Sequence, residues 1–171
     1  MTRRLILGIA LFGMVGVVGA DDKPAKDARF EKLKTLVGEW AKADKDGKPT
    51  GDVLTVFKLT GGGTALQETI HPNSPMEMVS VYHMDGADLV LTHYCMLGNQ
   101  PKMKADAKST DKEIVFAFAG GTNLKPEKDM HIHEGSIKWI DADTIEWGWQ
   151  AYQDGKPVGG HKMTEKLVRK K

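Results

Sequence analysis

From Trp40 to the C-terminus, turn-forming residues recur at intervals of about ten residues, and the segments between them alternate apolar with polar side chains. The period of two is plain in Met103, Ala105 and Ala107 set against Lys102, Lys104, Asp106 and Lys108. It returns in Ile145, Trp147 and Trp149 against Glu146 and Gln150, and in Val53, Thr55, Phe57 and Leu59. Each such strand has one apolar face to bury, so a long series of them predicts an all-β sandwich or barrel. Ten strands are expected, at about 39–44, 51–60, 64–71, 76–84, 88–97, 101–108, 112–119, 130–140, 144–153 and 157–169. One short helix precedes them, with Phe30, Leu33 and Val37 at helical spacing, Lys32 and Lys34 on the other side, and Gly38 as its end.

The connections divide into two kinds. Gly61-Gly62-Gly63, Asp85-Gly86, Ser109-Thr110-Asp111 and Asp141-Ala142-Asp143 are tight turns of the type that join antiparallel neighbours. The stretches Ala43 to Thr50, Pro72 to Pro75, Gly98 to Pro101, Gly120 to Asp129 and Gln153 to Pro157 are generally longer or contain proline. The two kinds alternate along the chain, which is the pattern of an antiparallel up-and-down barrel with one tightly turned end and one loop-bearing end.

The N-terminus reads differently. Arg3 and Arg4 precede an apolar run from Leu5 to Val18, then Gly19-Ala20 and Asp21-Asp22. A positive flank, a short apolar stretch and a small-residue cleavage site describe a secretory signal peptide over 1–20, and the run is shorter than the ~20 residues of a membrane span. Residues 21–29 then form a flexible leader, and 30–171 a single domain. The protein is expected to be exported, periplasmic or secreted, monomeric, and without a membrane anchor after cleavage. Loss of Arg3 and Arg4 from 24 basic and 23 acidic residues takes the net charge from +1 to −1. No basic footprint for nucleic acid is present. The single cysteine, Cys95, has no partner for a disulfide within the chain.

Gly38-Glu39-Trp40, after a helical turn and at the entry to the first strand, resembles the Gly-x-Trp signature of the calycin (lipocalin-like) barrels. The resemblance implies that a basic residue of the last strand, here Arg169, packs over Trp40 at the closed end. Val81-Tyr82-His83-Met84-Asp85-Gly86, Leu91-Thr92-His93-Tyr94-Cys95 and Gly98-Asn99-Gln100-Pro101 look like small secreted bacterial proteins similar to lipocalin-like and nitrobindin-like barrels. That likeness brings no established activity. A nitrobindin-type barrel would imply haem held by a histidine near the C-terminal strands, where His161 stands.

Five of the six histidines, His71, His93, His131, His133 and His161, are expected at the loop-bearing end, and His83 at the other. His93 and Cys95 share a face with Leu89 and Leu91, and His131 and His133 with Ile137 and Trp139, so both sets are expected to point inward. His161 shares its face with Met163 and Leu167. The resulting expectation is a barrel that binds a small organic molecule at a histidine-rich mouth, using His93, Cys95, Asn99, Gln100, His131, His133, Trp149 and His161. A second reading makes His93, His131 and His133 the ligands of a zinc-type metal with an open position for water. A third is haem binding. The plainer alternatives are that the histidines and Asn99 and Gln100 satisfy loop carbonyls, that Cys95 is a buried small residue rather than a nucleophile, and that the methionines and Trp147 fill the core. The sequence names neither ligand nor reaction.

Overall fold

The computed structural model describes residues 27–171; the proposed signal peptide and most of the leader lie outside them. The chain begins with helix α1 (Ala28–Lys34), capped by Asp27, whose carboxylate accepts from the backbone N–H groups of Arg29 and Phe30. The helix thus starts inside the stretch read as leader. It ends at Lys34, so the helical projection from Leu33 to Val37 fails: Leu36 is buried while Val37 is exposed.

Eleven strands follow: β1 (Gly38–Ala43), β2 (Pro49–Thr60), β3 (Ala65–Ile70), β4 (Met78–Asp85), β5 (Asp88–Tyr94), β6 (Gln100–Ala105), β7 (Glu113–Thr122), β8 (His131–Trp139), β9 (Thr144–Gln153), β10 (Lys156–Pro157) and β11 (Met163–Arg169). Ten of them form a closed antiparallel ring, in which each pairs with its successor, β9 pairs with β11, and β11 returns to β1. The expected tenth strand is divided. Its first residues, β10, only extend the β9 hairpin, and a loop through Gly159 and Gly160, both at positive φ, separates them from β11.

Tight turns and loops segregate to opposite ends as the chain's punctuation predicts. The tightly turned end is plugged by α1, which buries Phe30 and Leu33, with Leu36, against Trp40. Polar ties lock the plug. Arg29 donates to the Ala87 carbonyl in the β4–β5 turn (3.0 Å), and Lys32 to that of Asp111 in the β6–β7 turn. The Trp40 indole donates to the Leu36 carbonyl (2.7 Å), and the Arg169 guanidinium lies 4.4 Å from the Trp40 ring centroid. Gly38 is required here: its φ is +130°, and a Cβ would stand 3.1 Å from Arg169 Nη1.

Bulges modify the alternation at two places that shape the interior. Trp40 faces Thr55 but Ala41 faces Val53, so Leu54 is an extra residue in β2 and is buried beside Thr55. Leu59, expected to be inward, is exposed. In β8 the register shifts between Ile132 and Glu134, which leaves His133 unpaired.

Candidate functional site

The interior above the plug contains a cavity of about 270 Å³. Its walls follow from strand order. On a ten-strand ring β3, β4 and β5 lie across from β8 and β9, so the side chains they send inward face each other.

The β3–β5 wall is polar at its heart. Glu68, from the inward series Leu66, Glu68 and Ile70, is 1% exposed. The Tyr82 hydroxyl donates to Glu68 Oε2 (2.6 Å), and that of Thr55 to Oε1 (3.3 Å). Burial pushes the Glu68 carboxyl up to about 7, against the opposing effect of the Tyr82, Thr55 and Ser80 hydroxyls. Burial, and then the neighbouring Glu68, raise the Tyr82 phenol well above its ordinary value. Ser80 Oγ is hydrogen-bonded to His93 Nδ1 (3.0 Å), and burial pushes the His93 imidazole down to about 4. This wall therefore holds a neutral imidazole next to a carboxyl poised between its two protonation states at neutral pH.

The β8–β9 wall is largely apolar, with Ser136 its one hydroxyl among the lining residues. Ile132, Ile137, Trp147 and Trp149 line it, the two indoles 4.8 Å apart. Gly135 interrupts the wall, and a Cβ built on it makes only ordinary contacts of 3.9 Å with Leu91, Met103 and Phe116. At the loop-bearing end His71, Met78 and Cys95 line the cavity, together with the ion pair between Lys42 Nζ and Glu165 (2.8 Å).

Of the residues expected to form the site, His93, Cys95 and Trp149 line the cavity. His131 and His133 do not. Ile132 between them lines it, and the bulge at His133 removes the alternation on which their inward orientation depended. They form a separate cluster. His131 is 1% exposed, with Nδ1 bonded to the Asp129 carbonyl (2.8 Å) and Nε2 to His133 Nδ1 (3.0 Å). His133 is sandwiched between the rings of Phe118 (4.7 Å) and Tyr152 (3.9 Å). Its pKa is lowered by burial and then by His131, against the pull of Glu134. Asn99 donates to the Met130 carbonyl, and Gln100 ties Gly98, Thr122 and Asn123 together, so both serve the rim loops. His161 is exposed in the loop before β11. Among the described residues no group of three His, Cys, Asp or Glu side chains converges to hold a metal ion, and the set His93, His131 and His133 is not brought together.

Sequence reasoning missed Glu68, Tyr82 and Ser80. The signal was present: Glu68 interrupts an otherwise apolar inward series, and a carboxylate at such a position either has a partner or has a task.

The fold and site define a closed ten-stranded antiparallel β-barrel with an internal cavity, compatible with a calycin-like architecture. No protein-family model matches the chain, and no curated protein is detectably similar to it in sequence.

Proposed function

We propose that the protein is an exported, calycin-like barrel that binds a small organic molecule inside the ring rather than across a histidine rim. The observation that carries this reading is the cavity itself: apolar and aromatic on one wall, with a compact polar cluster of Glu68, Tyr82, Ser80 and His93 on the other. Binding sites of small molecules have this composition, a largely apolar lining with a few polar groups that fix orientation. The volume of about 270 Å³ is nearly twice the roughly 150 Å³ that accepts benzene in another protein. It therefore suits a single ring bearing a short chain, and is small for a porphyrin. The arrangement at Trp40 and Arg169 supports the calycin likeness, since it is the contact that the Gly-x-Trp resemblance implies. The dispersal of His93, His131 and His133 favours small-molecule binding over a zinc centre.

The test uses 2-phenylethanol as probe. Binding is expected to change the fluorescence of Trp147 and Trp149 saturably. Gly135→Leu, which sends a side chain from the wall into the cavity, should abolish that response while the protein stays folded. A signal that persists in the variant would remove the cavity as the site. Export is checked separately by expressing the full chain in a bacterium and sequencing the N-terminus of the exported product, which should begin at Asp21.

A further inference from the structure

We infer that the ligand is a small monocationic amine, an aromatic ring with a short aminoalkyl chain, bound with its ammonium at Glu68 and its ring against Trp147 and Trp149. This deepens the cavity reading and rests on it.

The argument starts from what surrounds Glu68. Its contacts are the hydroxyls of Tyr82 and Thr55, with Ser80 close by, and none of the described residues supplies it with a cation. A carboxylate taken out of water without a positive partner costs several kcal/mol, and a glutamine would serve the same hydroxyls without that cost. A cation arriving at Glu68 would supply the charged partner that the described residues do not. Further features of the cavity fit an ammonium. His93 lines it in the neutral state, so no fixed positive charge repels the guest. With Nδ1 held by Ser80, His93 Nε2 has no protein partner among the described residues, and it is a second acceptor for N–H whenever Nδ1 carries the ring proton. Across the ring, two indoles present π-faces, which attract cations and stack on aromatic rings. The mouth adds Glu165 and Lys42, which neutralise each other, so the lining carries one acid in excess. The cavity volume of about 270 Å³ accommodates one ring and a short chain.

The proton balance follows. The titratable groups facing Glu68 are Tyr82 from β4 and, beyond Ser80, His93 from β5, while His71, Cys95, Lys42 and Glu165 lie toward the mouth. With a Glu68 carboxyl pKa of about 7, an amine that is already protonated displaces the Glu68 proton to solvent below pH 7 and displaces none above it. Amine affinity should therefore fall about tenfold for each pH unit below 7 and level off above it. A neutral ligand has no reason to follow that curve.

The experiment titrates the purified protein with 2-phenylethylamine and with 2-phenylethanol, calorimetrically and by tryptophan fluorescence, between pH 5 and pH 8.5. The expected result is an amine at least about tenfold tighter than the alcohol at pH 8, with the pH profile above. In Glu68→Gln the ratio of amine to alcohol affinity at pH 8 should fall to about one. Equal or tighter binding of the alcohol at pH 8, or a preference that survives in Glu68→Gln, overturns the amine assignment and leaves the cavity reading intact. Binding of neither compound overturns both. Should Glu68→Gln fail to fold, the wild-type pH profile decides alone: an amine affinity that does not fall below pH 7 rejects Glu68 as the counter-ion.

Discussion

Arg169, the last residue of β11, holds its guanidinium 4.4 Å from the centroid of the Trp40 ring, and the two residues are direct partners in the β1–β11 ladder. The same guanidinium donates to the carbonyls of Val37 (2.7 Å), Thr35 (2.8 Å) and Ala142 (3.3 Å), so it ties the plug, the first strand and the β8–β9 turn to the last strand. Replacing it with methionine keeps the stem and removes the fork. The expected loss is about 2 to 3 kcal/mol, combining a partly desolvated cation–π contact with carbonyls left without their donor. Arg169→Lys should recover less than half, because an ammonium cannot reach three carbonyls at once. Urea unfolding of the two variants checks this, and a lysine variant as stable as wild type would contradict the role given to the fork.

Glu68 and His93 make opposite contributions to the pH dependence of stability. Between its ordinary value of 4.5 and about 7, Glu68 is protonated when folded and ionised when unfolded, so its contribution is present in full below 4.5 and is lost as pH rises to 7. Between about 4 and its ordinary 6.5, His93 is neutral when folded and charged when unfolded, so its contribution is present above 6.5 and is lost as pH falls to 4. Each change amounts to about 3 kcal/mol, and over the shared window they cancel. From pH 4.5 to 6.5 these two contributions offset each other, and the wild-type slope that remains there comes from other groups, His133 among them, whose lowered pKa adds stability as pH rises. In Glu68→Gln stability should climb by about 3 kcal/mol more than in wild type over the same range, as read from urea midpoints with an unchanged slope.

Gly135 is expected to tolerate alanine well. Its Cβ would meet three side chains at ordinary contact distance, and the backbone is not in the left-handed region. Gly135→Ala should raise stability by about 0.5 to 1 kcal/mol through the entropy of the unfolded chain. It should also reduce the affinity for a ring-sized probe. Thermal melts and probe titration read the two effects separately, and a loss of stability would show that the wall is tighter than the geometry indicates.

The rim histidines should separate by role. His131→Ala removes a fully buried ring with two hydrogen bonds and leaves the Asp129 carbonyl without its partner, for a loss of about 2 to 4 kcal/mol. His161→Ala, in an exposed loop, should change stability by less than about 0.5 kcal/mol. Neither should shift the affinity of 2-phenylethanol in variants that remain folded. A large shift in His161→Ala would return the rim to the binding site.

Much of the architecture was legible because regular strands obey a period of two. Met103 and Ile145 point where that period puts them, and the alternation of tight turns with loops led directly to the ring. Leu54 and His133 escaped because a bulge adds one residue without any compositional mark, and a single extra residue reverses every face beyond it. His133 therefore leaves the cavity wall that its spacing suggested. Glu68 was a different omission. Its position obeys the period, and the only mark it carries in the sequence is that it stands as a lone acid in an otherwise apolar inward series.

Closing the ring by pairing β1 with β11 has a consequence for how the molecule is made. The pairing joins the first and last strands of the described chain, so nearly all of residues 38–169 must be available before the barrel can shut. Until then β1 lacks one neighbour and Trp40 lacks the residue that covers it. Contacts this distant in sequence make for slow assembly. Loss of even the last three residues would remove Arg169, and with it the final latch on a ring otherwise complete.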